Sequence, residues 1–98
     1  MKKENLKNKK TRRHLFIRGI VQGIGYRYFT RRQAVKLGIN GWVKNLGDGS
    51  VEAVFEGKDK QVKQMINYCR QGPPLAKVDS INIKKENCQQ EKEFVILK

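Results

Sequence analysis

The chain has few of the residues that build metal, redox or disulfide sites. Its 98 residues include only two cysteines and one histidine, and Cys69, Cys88 and His14 are far apart in the sequence. These are too few ligands for an ordinary zinc site, so we expect no metal. In a reducing compartment both cysteines are expected to be free thiols. His14 has no Ser or Cys motif to partner it, and we assign it no catalytic role.

Long apolar runs are also absent. No stretch reaches the roughly 20 apolar residues that a membrane-spanning helix requires. The charged N-terminus is not followed by the apolar segment of a signal peptide. We therefore expect a single domain that lies in the cytoplasm and has no membrane partner.

Acidic residues are scarce relative to basic ones. The chain holds 22 Lys and Arg against 9 Asp and Glu, for a net charge of +13. Residues 1–13 carry seven of the basic residues and one Glu. Because they show no apolar period, we predict that they form a disordered basic arm and that residues 14–98 form the folded domain. A basic surface attracts nucleic acids, anionic membrane surfaces and small phosphorylated substrates alike.

Hydrophobic periodicity predicts the secondary structure. Apolar and polar residues alternate, as in strands, over about 14–21, 40–45, 50–56, 78–84 and 94–97. Spacings of three and four predict helices over about 27–37 and 58–70. Trp42 and Cys69 are assigned to the core.

Turn residues support these boundaries. Gly38 is a typical helix stop, Gly72-Pro73-Pro74 ends the second helix, and Asp48-Gly49 predicts a hairpin. The resulting order is β-α-β-β-α-β plus a short terminal strand. This order predicts the α+β class and a ferredoxin-like split βαβ fold, with both helices on one face of an antiparallel sheet.

The segment between the first strand and the first helix is the most informative. Gly23 and Gly25 can adopt a positive φ or let the backbone approach a ligand closely. The helix that follows has no Ser, Thr, Asp or Asn at its cap, so its first backbone N–H groups lack an evident partner. An anion there would satisfy them, and Arg27 could hold two phosphate oxygens. The Lys-Ser/Thr pair of the phosphate-loop motif is absent, so an anion site and a purely structural turn both stay open.

Several motifs connect these elements to a known family. GIVQGIGYR, GWVKN, DGSVE and GPPLAKV occur in this order within residues 15–97. The set resembles the acylphosphatase family over nearly the whole chain. Two positions depart from the usual pattern, with Ile24 in place of valine and Tyr26 in place of phenylalanine. Both remain apolar, although the Tyr26 hydroxyl needs a hydrogen-bond partner.

The resemblance implies hydrolysis of a small-molecule acyl phosphate to carboxylate and inorganic phosphate, without a metal or other cofactor, by a monomer. It implies that Arg27 is the phosphate-binding catalytic arginine and that Asn45 orients the attacking water. On its own, Asn45 could equally be an ordinary turn residue. For this reaction we expect the phosphate oxygens to be bound by Arg27 and by the backbone N–H groups of the turn, which are those of Gln22, Gly23, Ile24, Gly25 and Tyr26.

A basic nucleic-acid-binding module is the alternative. RNA-recognition domains share the predicted fold and stack bases on aromatic residues of the sheet. The aromatic pattern of those domains does not appear here, and Phe16 and Phe55 are each as easily core residues. As an addition, residues 1–13 are expected to bind polyanions weakly and without specificity.

Overall fold

The computed structural model describes residues 9–98, which form five strands and two helices. The helices are α1 (Tyr26–Leu37) and α2 (Asp59–Gln71). The order of elements is the predicted one, and neither helix in the described part of the chain is long and apolar enough to cross a membrane. The strands are β1 (Lys10–Ile20), β2 (Asn40–Asn45), β3 (Val51–Lys58), β4 (Lys77–Glu86) and β5 (Phe94–Ile96).

The strands form one sheet in the order β4-β1-β3-β2-β5. The pairs β1–β3, β1–β4 and β2–β3 are antiparallel, which confirms the ferredoxin-like arrangement. The expectation of a wholly antiparallel sheet is wrong for β5, which pairs in parallel with β2. β4 runs antiparallel to β1, and β1 and β2 point the same way because both are antiparallel to β3. Since the chain reverses between β4 and β5, β5 must run in the direction of β2.

The core lies between the helices and one face of the sheet. Leu15 of β1 pairs with Ala53 of β3, which pairs in turn with Val43 of β2, and all three are fully buried. α1 and α2 contact each other over this face, so both helices lie on the same side. The assignment of Trp42 to this core is wrong. Strand alternation turns Trp42 to the helix-free face, where its ring lies 5.7 Å from that of His14.

β1 begins earlier than predicted. It starts at Lys10, and residues 10–13 pair with residues 55–58 of β3. The predicted boundary between a disordered arm and a domain, placed after Arg13, is therefore wrong for these four residues. The rest of the predicted arm, residues 1–8, lies outside the described residues.

Ion pairs hold the start of β1 in the sheet. The Arg12 side chain is only 5% exposed, and its guanidinium donates hydrogen bonds to three carboxylates. Their oxygens lie 2.7 to 2.9 Å from the donor nitrogens. A buried cation needs such partners. The alternation of apolar residues, which predicts strands, contains no information about these ion pairs. The three acceptors are Glu56, Glu86 and Glu91.

Candidate active site

The turn between β1 and α1 requires glycine at two positions. Gly23 has a φ of 77° and Gly25 a φ of 81°, both in the left-handed region that other residues rarely adopt. Apart from the chain neighbours, no residue has a heavy atom within 4 Å of the position that a Cβ would occupy at either glycine. The turn is therefore an open backbone loop rather than a tightly packed connection.

The N-terminus of α1 has free backbone donors. Gly25 is the N-cap residue and provides no side-chain hydrogen bond, and the first turn contains no acidic residue. The first helical hydrogen bond runs from the N–H of Phe29 to the carbonyl of Gly25, at 3.0 Å. No acceptor within residues 9–98 is found for the backbone N–H groups of residues 22–27. These groups, at the positive end of the helix, are available to an anion.

Arg27 adds a full positive charge in the first turn of α1. Its side chain is partly exposed. Among the ion pairs of the described residues, none involves Arg27. Its charge is therefore not neutralised by a carboxylate from that part of the chain.

Asn45 ends β2 on the same side of the sheet as α1. It pairs with Val51 of β3, which pairs with Ile17 of β1, and these three residues form one row across the sheet. Val51 and Ile17 are buried beneath the helices, so the Asn45 side chain shares the face that carries α1. Its Oδ1 is shielded from solvent and has no hydrogen-bond partner in the described residues. An unsatisfied buried acceptor is unfavourable until a donor reaches it.

β3 lies between β1 and β2, so these two strands are not neighbours in the sheet. The two strands nevertheless point the same way and end at the same edge of the sheet. A side-chain contact spans this edge, since Gln22 Nε2 lies 2.8 Å from both the Leu46 and the Ser50 carbonyl oxygens. The sequence predicted phosphate binding by the backbone N–H of Gln22 and no role for its side chain. The acceptors are main-chain groups, so no motif could have identified them.

Comparison with known proteins identifies the protein family to which this chain belongs. The family model for acylphosphatase matches residues 13–96. The chain belongs to the acylphosphatase family. It is 51% identical to the acylphosphatase of Thermococcus kodakarensis over 80% of this chain and 86% of that protein. It is 45% identical to that of Moorella thermoacetica over 87% of this chain and 91% of that protein.

The same family appears among solved structures. The chain superposes on acylphosphatase from Bacillus subtilis with a TM-score of 0.88 and 31% sequence identity, over 90% of this chain and 99% of that one. The protein is thus a hydrolase of acyl phosphates. The comparisons do not favour the alternative of a nucleic-acid-binding module.

Two other residues of the turn point into the acylphosphatase core. Ile24 is partly buried and packs against it. The Tyr26 ring is buried, and its hydroxyl donates a 2.7 Å hydrogen bond to the carbonyl oxygen of Cys69. Burial raises the pKa of this tyrosine. Both residues therefore offer a ligand only their backbone N–H groups.

Cys69 meets the turn at the buried Tyr26, whereas His14 lies on the opposite face of the sheet. Cys69 is fully buried, as predicted for a core residue, and burial raises the pKa of its thiol to about 12. His14 lies on the helix-free face, with Nε2 2.6 Å from Glu52 and Nδ1 2.7 Å from Glu86. Among residues 9–98, no three His, Cys, Asp or Glu side chains are grouped so as to hold a metal ion.

One cavity formed by the described residues is at the other end of the sheet. It measures about 670 Å³ and is lined by residues including Lys10, Gly38 and Lys58. These residues mark the start of β1 and the ends of α1 and β3, whereas the turn follows the end of β1. The turn, rather than this cavity, is the candidate active site, because it holds the free backbone donors and the unsatisfied Oδ1 of Asn45 lies at the same end of the sheet.

Proposed function

We propose that residues 22–27 hold the phosphoryl group of an acyl phosphate and that Asn45 orients the water that attacks it. The backbone N–H groups of Gln22, Gly23, Ile24, Gly25 and Tyr26 and the guanidinium of Arg27 bind the non-bridging phosphate oxygens. The observation that carries the proposal is the set of backbone donors without acceptors at the uncapped end of α1. Backbone donors and a helix N-terminus together favour an anion.

The chemistry suits a site without a general acid. Water attacks phosphorus, and the bond between phosphorus and the acyl oxygen breaks, so that its electron pair leaves with the carboxylate. Carboxylate is already a good leaving group, and the protons of water pass to phosphate or solvent. What such a reaction needs is positioning and stabilisation of charge, which the donors and Arg27 supply.

Asn45 is suited to the water because of its unsatisfied Oδ1. A carboxamide oxygen accepts a hydrogen bond from water, while the Nδ2 group can donate to a phosphate oxygen. The buried Oδ1 has no such donor within the described residues. A water held there would approach phosphorus from the side of the sheet that carries α1.

We further propose that the protein acts as a monomer in the cytoplasm, with a small-molecule substrate. Any polyanion binding by residues 1–13 is expected to be weak and to involve their other basic residues rather than Arg12. The charge of Arg12 is already paired with three carboxylates. Such binding should disappear at moderate salt concentration.

The test is hydrolysis of benzoyl phosphate, with a chelator present, by wild type, Arg27→Ala and Asn45→Ala. We expect each variant to lose about 100- to 1000-fold in kcat/KM, and Arg27→Ala at least as much as Asn45→Ala. Arg32→Ala and Asn67→Ala are matched controls, since both residues are exposed and lie on the helices. Circular dichroism establishes that each variant is folded.

Folded variants of Arg27 and Asn45 that keep wild-type rates would refute the assigned roles. A rate that the chelator abolishes and added Mg²⁺ restores would refute the metal-free mechanism. An equal loss in the two control variants would mean that general surface charge or stability, rather than this site, determines the rate.

A further inference from the structure

The side chain of Gln22 ties the phosphate-binding turn to the β2–β3 hairpin. Its Nε2 lies 2.8 Å from the carbonyl oxygens of both Leu46 and Ser50. A carboxamide nitrogen carries two hydrogens, so one donor can serve each carbonyl. Within residues 9–98, these are the side-chain hydrogen bonds that join residues 22–27 to the hairpin.

The two acceptors close the hairpin. The N–H of Leu46 donates to the carbonyl of Ser50 at 2.8 Å, and the N–H of Gly49 donates to the carbonyl of Leu46 at 3.2 Å. Gln22 therefore binds the base of the turn, where β2 and β3 separate. The intervening residues 47–49 are exposed, so Gln22 contacts the turn at its base and not at its tip.

This contact acts on the backbone one residue beyond Asn45. Leu46 follows Asn45 directly, so holding the Leu46 carbonyl restricts the backbone from which the Asn45 side chain projects. We propose that Gln22 is a positioning residue that sets the distance between Asn45 and the bound phosphoryl group. This inference rests on the proposed function, in which Asn45 orients the water.

A change of the Gln22 side chain should affect phosphate binding and the catalytic rate differently. Its backbone N–H remains in the turn whatever the side chain, so phosphate binding should persist. Without the hydrogen bonds from Gln22 the water is less well placed, and a displacement of about 1 Å in an active site can lower the rate by roughly 100-fold. The loss should therefore appear in kcat and not in KM.

The experiment combines Gln22→Met with Asn45→Ala in a double-mutant cycle. Methionine has a similar length and no donor, and Gln22→Leu is a second uncharged variant that cannot donate to a carbonyl. Gln64→Met, on the exposed surface of α2, is the matched control. We measure kcat and KM for benzoyl phosphate and inhibition by inorganic phosphate, after establishing folding by circular dichroism.

We expect both Gln22 variants to lower kcat about 10- to 100-fold, with KM and phosphate inhibition within about twofold of wild type. In the Asn45→Ala background the same change should alter kcat by less than about twofold, since the group that it positions is gone.

An equal loss in both backgrounds, a rise in KM with kcat unchanged, or wild-type kcat in a folded Gln22 variant would each overturn the inference. If Asn45→Ala itself keeps wild-type activity, the proposed role of Asn45 fails and this inference fails with it. If Asn45→Ala is impaired but Gln22 variants are not, only the positioning role fails.

Discussion

Replacing Tyr26 by phenylalanine should measurably destabilise the protein, because the carbonyl of Cys69 depends on the tyrosine hydroxyl. Cys69 lies in the last turn of α2, where a carbonyl normally accepts from the N–H four residues later. That residue is Pro73, which has no N–H. The N–H of Gly72 is already bonded to the carbonyl of Tyr68 at 2.8 Å.

The hydroxyl of Tyr26 fills this role from α1, at 2.7 Å in a buried environment. Phenylalanine keeps the ring and leaves the carbonyl without a donor. An orphaned buried acceptor costs about 1–3 kcal/mol. For a domain of this size each kcal/mol lowers Tm by about 4–8 °C, so a loss of about 2 kcal/mol lowers Tm by about 8–16 °C.

Urea unfolding and thermal unfolding, followed by circular dichroism, measure this difference. Tyr28→Phe is the matched control, since Tyr28 is 66% exposed in the first turn of the same helix. Its unfolding free energy should change by less than about 0.5 kcal/mol. A Tyr26→Phe variant as stable as the control would refute the reasoning.

Two further predictions concern parts of the fold away from the site. Burial raises the pKa of Glu56, but hydrogen bonds from the N–H of Gln89 and from Arg12 outweigh it, and the pKa lies below its ordinary value of 4.5. The ionised Glu56 carboxylate therefore stabilises the protein above its ordinary pKa, and this stabilisation is lost as the pH falls. Between about pH 5 and 3, the unfolding free energy of wild type should fall more than that of Glu56→Gln. Parallel curves of unfolding free energy against pH would contradict this. Gly19→Ala should cost about 2 kcal/mol or more, because Gly19 has a φ of 133° and a Cβ would lie 2.0 Å from the Lys77 carbonyl oxygen. Gly47→Ala, with open space, should change stability by less than about 0.5 kcal/mol, and an equal effect of the two would contradict the argument.

The sequence predicted the elements whose signals are local. Alternation and helical spacing indicated every strand and helix, and the glycines with the missing cap residue left an anion site before Arg27 as one of two open interpretations. These signals lie within a few residues of one another, so short windows contain them.

What the sequence did not predict depends on contacts between distant segments. The start of β1 is held by Arg12, whose carboxylate partners come from β3, β4 and the loop before β5. The direction of β5 follows from the order of strands in the sheet. The side chain of Gln22 donates its hydrogen bonds to backbone carbonyl oxygens of a distant segment. Trp42 is different. Alternation along β2 places its side chain and that of Val43 on opposite faces of the sheet, whereas the large size of Trp42 favoured an assignment to the core.

The placement of the few carboxylates explains how a basic chain can concentrate its charge where phosphate would bind. Of the 9 acidic residues, four lie in one network on the helix-free face with Arg12 and His14. The Asp48 carboxylate, in the hairpin, accepts hydrogen bonds from the hydroxyl and N–H of Ser50, which lower its pKa. Among residues 9–98, the structure places no carboxylate within ion-pair distance of Arg27. A carboxylate there would compete with phosphate for the same guanidinium, so the distribution of acidic residues in this part of the chain leaves the cation available.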